Sequence, residues 1–150
     1  MRLHGPQTRF ELNLVGRPDN EGWCQVRVAV DGPDGNWSAT SRCLLAEEIV
    51  RLAQWLQAAA DGRGSARFDT LDNEISFELL DTEPRQLRIY LEWTFRPVRR
   101  RSEGIGEFFR DYPVTDRTLR DAVRSLSEEL RQATKGSRNA PGRAAGLEGE

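Results

Sequence analysis

Two segments near the start of the chain alternate between apolar and polar residues. They are TRFELNLVG (8–16) and WCQVRVAVD (23–31), and turn-forming residues separate them at 16–22. This period of two is typical of half-buried β-strands. The turn sequence GPDGN (32–36) then predicts a hairpin between the second strand and a short third strand at about 37–43.

The period changes to that of a helix in the segment LLAEEIVRLAQWLQAAADG (44–62). Glu47 and Glu48 lie near its predicted N-terminus, where the helix dipole favours acidic side chains. A second helix is predicted from Asp116, a good N-cap residue, to about Gly136. The apolar stripes of the two helices are Leu45, Ile49, Leu52 and Leu56 in the first, and Leu119, Val123, Leu126 and Leu130 in the second.

Strand patterns return between the helices, in SARFDT (65–70), NEISFELL (73–80) and RQLRIYLEWTF (85–95). The last of these has the longest alternation in the chain, which predicts a central strand. Its alternating apolar residues are Leu87, Ile89, Leu91, Trp93 and Phe95.

These elements predict an α+β fold, in which a single curved antiparallel sheet of about five to six strands packs against two amphipathic helices. We expect one domain over residues 1–135, with residues 1–7 frayed. Residues 136–150 contain only one bulky apolar residue, Leu147, so they bury too little surface to offset the entropy of ordering. We therefore expect a disordered C-terminal tail.

Composition excludes some classes of function but does not identify one. The chain has 150 residues and a formal net charge of -2, which argues against non-specific binding to nucleic acid. No segment is apolar over the ~18 residues that a membrane span needs, and the N-terminal residues do not resemble a secretory signal. A cytoplasmic location is therefore expected. Cys24 and Cys43 are too few for a disulfide framework, and the sequence leaves open whether they pair.

An acidic stretch between residues 69 and 83 raises the question of a catalytic or binding site. It contains six carboxylates and no basic residue: Asp69, Asp72, Glu74, Glu78, Asp81 and Glu83. Glu74 and Glu78 are four residues apart, roughly 13 Å along a strand. Paired carboxylates in glycosidases are closer, at about 5–9.5 Å. The favoured interpretation is a solvated sheet face with Glu78 opposite Arg88 or Gln86, and the alternative is a docking surface.

Other catalytic arrangements are missing from the sequence. His4 is the only histidine, no GxSxG or CxxC motif is present, and the glycines of GIGEFF (104–109) lack the Lys-Ser/Thr pair of a phosphate loop. We therefore predict neither an enzyme, nor a metal site, nor a cofactor. The basic segment RPVRRR (96–101) is interpreted as a solvated loop, with contact to phosphate or an acidic partner as the alternative.

The order of these features resembles the WapI-type immunity proteins, a family of small bacterial proteins often found in actinobacteria. The likeness covers about residues 8–133, and its clearest segments are CLLAEE (43–48) and NEISFELL (73–80). The resemblance implies a protein that binds and neutralises the C-terminal toxin domain of a large contact-delivered toxin. The resemblance assigns no residue of this sequence to toxin contact.

If the chain is such a binding protein, its acidic face and aromatic side chains are the candidate contacts. The candidate partner-binding residues are Asp72, Glu74, Glu78, Trp23 and Tyr90. Charge complementarity would accelerate association, and exposed aromatic residues would anchor the complex. The alternative function is a housekeeping or regulatory protein-interaction module. An open sheet edge would also allow a homodimer.

Overall fold

The computed structural model describes residues 1–33, 35–97 and 106–135. The strands in these ranges are β1 (Arg2–His4), β2 (Arg9–Val15), β3 (Trp23–Gly32), β4 (Gly35–Leu45), β5 (Arg67–Asp69), β6 (Ile75–Leu80), β7 (Gln86–Leu91) and β8 (Phe109–Pro113). The helices are α1 (Ala46–Ala60), α2 (Asp116–Lys135) and the short 3₁₀ helix η1 (Trp93–Phe95). The α+β class and both predicted α-helices are confirmed.

The strands form two antiparallel sheets of four strands each, so the prediction of a single sheet of five to six strands is wrong. One sheet has the order β1-β2-β3-β4 and the other has the order β5-β6-β7-β8. Within each sheet every strand pairs with its neighbour in sequence. Helix α1 starts directly after β4 and carries the chain away, so the next strand begins a separate hydrogen-bonded ladder.

The two strands that the sequence did not indicate are β1 and β8. We expected residues 1–7 to fray, but Leu3 pairs with Phe10 across the β1–β2 ladder and is buried. The amino group of Met1 donates a 2.8 Å hydrogen bond to the carbonyl of Leu12 and lies 3.6 Å from a carboxylate oxygen of Glu129. These contacts join the start of the chain to β2 and α2.

Both sheets and both helices contribute to one hydrophobic core. Phe10 of the first sheet contacts Tyr112 of the second, with ring centroids 5.9 Å apart, and Trp55 of α1 lies 6.5 Å from Phe77. Ile49, Leu52 and Leu56 of α1 are buried, as are Leu119 and Leu126 of α2. Each such side chain contributes roughly 1.5–3 kcal/mol of burial free energy.

The helices pack against each other beside this core. Arg120, near the start of α2, lies 3.4 Å from a carboxylate oxygen of Asp61 at the end of α1. Among the helices that the structure describes, none is both long and apolar enough to cross a membrane.

The central strand of the second sheet ends earlier than its alternation predicts. β7 lies between β6 and β8, as expected of a central strand, but it stops at Leu91. The chain then turns into η1, in which Phe95 is fully buried while Trp93 is 74% exposed. Trp93 has a φ of 49°, in the left-handed region, so its side chain points away from the core that the alternation assigned to it.

Candidate functional site

The acidic face of the second sheet is neutralised by arginines from neighbouring strands. Glu78 on β6 lies between Arg67 on β5 and Arg88 on β7 in the strand register, and Arg88 faces Asp111 on β8. Charge therefore alternates in sign across all four strands. The prediction that Glu78 lies opposite Arg88 is confirmed, and the face is not an acidic surface.

Arg88 is held tightly within this row. Its Nε and Nη2 atoms donate hydrogen bonds of 2.8 and 3.0 Å to the two carboxylate oxygens of Asp111. Its guanidinium also lies 3.9 Å from the ring centroid of Phe109. The hydrogen bonds that Arg88 donates to Asp111 raise the pKa of Arg88. The charged groups of Arg88 and Asp111 are therefore paired with each other.

Tyr90 lies beneath this polar layer and is only 6% exposed, so the expectation that it is an exposed aromatic anchor is wrong. Its hydroxyl donates a 2.5 Å hydrogen bond to Oε2 of Glu78. The guanidinium of Arg67 lies 4.7 Å above its ring, and the ring of Phe109 is 5.8 Å away. The hydrogen bond to Glu78, together with burial, raises the pKa of Tyr90.

Glu74 connects three segments of the fold. One of its carboxylate oxygens accepts a hydrogen bond from the hydroxyl of Ser41 on β4, and the other accepts a 3.0 Å bond from Thr94 in η1. Its backbone carbonyl accepts a 2.8 Å bond from the amide of Glu92. These contacts give Glu74 a structural role that the sequence did not suggest.

The two remaining candidate partner-binding residues lie on different parts of the structure. Asp72 is exposed in the turn before β6, next to Asn73, whose φ is 55°. Trp23 lies on the other sheet, is half-buried, and has the guanidinium of Arg42 at 5.2 Å from its ring. The structure therefore brings Glu78 and Tyr90 into contact but does not join all five candidates into one site. Their role in partner binding stays a prediction.

A polar cleft of about 570 Å³ opens beside η1. Its walls include Tyr90, Glu92, Trp93, Arg96 and Glu107. Of the six acids between residues 69 and 83, only Asp69 lines it, so the acidic stretch does not form a carboxylate-rich pocket. The sequence did not indicate this cleft, because the alternation along residues 87–95 assigned Trp93 to the core.

The basic segment 96–101 begins at the same cleft. Arg96 donates hydrogen bonds of 2.5 Å to Oε2 of Glu92 and 2.6 Å to the carbonyl of Gly106. Its charge is therefore already paired with Glu92. Residues 98–101 lie outside the described residues, so the interpretation of the arginine run as a solvated loop stays a prediction.

A second concave surface runs between the two α-helices. This groove has a volume of about 780 Å³ and is mainly apolar. Its lining includes Val50 and Ala53 of α1 and Val123 and Leu130 of α2.

The two cysteines are buried and unpaired. Burial raises the pKa of both thiols, and the nearby Glu74 carboxylate adds to the effect at Cys43. Both are therefore held as neutral thiols at ordinary pH. Within the described part of the chain, no three His, Cys, Asp or Glu side chains converge as metal ligands would.

Comparison with known proteins gives one match. Residues 2–134 match the family described as "Immunity protein WapI-like family". No curated protein matches the chain, and no solved structure matches it. The resemblance inferred from CLLAEE and NEISFELL is thus confirmed, over nearly the whole described chain.

Proposed function

The chain belongs to the WapI-like immunity protein family, and we propose that it neutralises a cognate toxin domain by binding it in a stoichiometric complex. The match over residues 2–134 carries this proposal, because it includes both sheets and both helices. The proposed partner is the C-terminal toxin domain of a large contact-delivered toxin, and the proposed place of action is the cytoplasm of the producing cell.

The hydrogen bonds and ion pairs of the carboxylates support inhibition by binding rather than by catalysis. Glu74 and Glu78 each accept hydrogen bonds from neighbouring side chains, and Asp111 is paired with Arg88. A general acid or base needs a carboxylate within reach of a substrate proton. These carboxylates instead stabilise the sheet and the turn beside it.

Co-expression with a toxin domain tests the proposal directly. The toxin domain encoded next to this chain's gene would be produced in a bacterial host with and without the chain. We expect growth arrest by the toxin alone and normal growth in the presence of the chain. Titration calorimetry with a catalytically inactive toxin domain should then give one chain per toxin domain.

A folding-defective variant provides the control. Leu56 is fully buried in α1, so Leu56→Asp should unfold the domain and abolish protection. Continued growth arrest with the folded wild-type chain, together with no heat of binding, would contradict the proposal. The alternative, a housekeeping or regulatory interaction module, would then be preferred.

A further inference from the structure

We infer that the indole of Trp93 is the anchor of the docking surface, and that it inserts into an apolar pocket bordered by Lys or Arg side chains on the toxin domain. This inference rests on the proposed function and adds to it a surface and a partner chemistry. The surface, here called the Trp93 surface, consists of Trp93, the adjacent cleft with the exposed acid Glu107 in its wall, and the exposed acid Asp72, which precedes the cleft-lining Asn73.

The exposure of Trp93 is unusual for this chain. At 74% it exceeds that of the other large apolar side chains that the structure reports as exposed, Leu71 at 66%, Val15 at 46% and Val50 at 44%. The rings of the other tryptophans in the described residues contact other side chains: Trp37 contacts Phe108, Trp55 contacts Phe68, and Trp23 has Arg42 over its ring. Tryptophan is among the side chains most enriched at interface hot spots.

The backbone at Trp93 adopts a conformation that is costly for tryptophan. Its φ of 49° lies in the left-handed region, which costs a residue with a Cβ free energy that glycine does not lose. Glycine would satisfy the turn, yet the chain has a large aromatic residue here. Strained, exposed residues of this kind are typical of functional sites when the surrounding structure holds them in place.

The neighbours of Trp93 fix its position on both sides. Before it, the amide of Glu92 donates a 2.8 Å hydrogen bond to the carbonyl of Glu74. After it, Thr94 bonds to the Glu74 side chain, and the carbonyl of Phe95 accepts a 2.9 Å bond from the indole of Trp37. The indole of Trp93 is therefore presented from a rigid support, which lowers the entropy cost of binding.

The charges around this indole indicate the chemistry of the partner. Arg67 is paired with Asp69, and Arg96 is paired with Glu92. Asp72 and Glu107 are exposed, and neither forms an ion pair with any residue that the structure describes. Among the described residues, the charges at this surface that form no ion pair are thus negative, which suits a positively charged rim on the partner. A Lys or Arg on that rim would also stack favourably on the indole face.

The experiment uses the inactive toxin domain encoded next to this chain's gene as the probe. Dissociation constants and thermal melting curves would be measured for wild type, Trp93→Gly, Trp93→Phe and Val15→Ala. We expect Trp93→Gly to weaken binding on the order of 30-fold or more, as for a hot-spot residue, while its melting temperature stays equal or rises. Trp93→Phe should retain part of the affinity, and Val15→Ala should bind like wild type.

A second pair of variants tests the charge of the partner. Asp72→Lys and Glu107→Lys should slow association at low salt, and the difference should shrink as salt is added. Faster association by either variant would overturn the positively charged rim. Wild-type affinity in Trp93→Gly would overturn the Trp93 surface while leaving the proposed function intact. Absence of binding by the wild-type chain would overturn the proposed function and, with it, this inference.

Discussion

The indole nitrogen of Trp37 on β4 donates a 2.9 Å hydrogen bond to the backbone carbonyl of Phe95 in η1, and this bond joins the first sheet to the segment that follows β7. The same indole contacts the ring of Phe108, with centroids 5.7 Å apart. Phe95 is fully buried on the core side of η1. The bond therefore holds η1 against the first sheet and fixes the turn that exposes Trp93.

Replacing Trp37 should weaken the contact between the first sheet and η1. Trp37→Phe retains an aromatic ring but leaves the carbonyl of Phe95 without its donor, and we expect a loss of about 1–3 kcal/mol in the free energy of unfolding. Urea denaturation followed by circular dichroism would measure the loss. Trp93→Phe is the matched control, because its exposed ring should change stability by less than about 0.5 kcal/mol. Equal stabilities of wild type and Trp37→Phe would contradict the role of this bond.

Glu48 should be among the most important polar residues for stability. It is 3% exposed, and its two carboxylate oxygens accept hydrogen bonds from the backbone amides of Leu45 (2.9 Å) and Leu71 (2.7 Å). Glu48→Ala leaves both amides without this acceptor, so we expect a loss of about 2–4 kcal/mol. Glu47→Ala is the control, since the Glu47 side chain is 75% exposed, and it should change stability by less than about 0.5 kcal/mol. Similar effects of the two variants would show that the Glu48 contacts contribute little.

Both tyrosines should ionise later than free tyrosine when the pH is raised. Burial raises the pKa of Tyr112 to about 12, and the hydrogen bond to Glu78 raises that of Tyr90 above its usual 10.0. Their contribution to stability should be complete below pH 10 and lost as the pH rises through the folded-state values, because the unfolded chain releases these protons first. Ultraviolet titration of tyrosinate, native and in urea, would test this. Coincident titration curves would refute it.

The two thiols should be unreactive in the folded protein. Cys24 and Cys43 are 2% and 0% exposed, and burial raises the pKa of both. A disulfide-exchange reagent should therefore modify neither thiol in native buffer but both after unfolding, because the reactive species is the exposed thiolate. Rapid modification of the native chain would indicate local opening at the β3–β4 end where the two cysteines lie.

Local periodicity predicted the elements whose side chains alternate cleanly. The strand at 8–16 became β2, the strand at 23–31 became β3, and the two apolar helical stripes became α1 and α2. β8 was missed because FRDYP contains charged residues and a proline, although Tyr112 within it is fully buried. Local patterns could not predict the number of sheets, because this number depends on which distant strands exchange hydrogen bonds.

Local periodicity predicted even less of the candidate site than of the fold. The alternation predicted Glu78 opposite Arg88 or Gln86, and its pairing with Arg88 is confirmed. It could not reveal that Arg67 and Phe109 cover Tyr90, because those contacts come from β5 and β8. Trp93 was assigned to the core for a similar reason, since a single left-handed residue reverses the side-chain direction without changing the sequence pattern.

The bond between Trp37 and Phe95 also constrains the order in which parts of the chain can fold during synthesis. The two residues are 58 positions apart, so on the ribosome the first sheet emerges well before η1 can reach it. During that interval β4, an outer strand of 11 residues, is not yet covered by η1, and an uncovered strand edge favours association with other nascent chains. Newly made protein should therefore depend on chaperones during synthesis, and pausing of translation between these two residues should increase its aggregation.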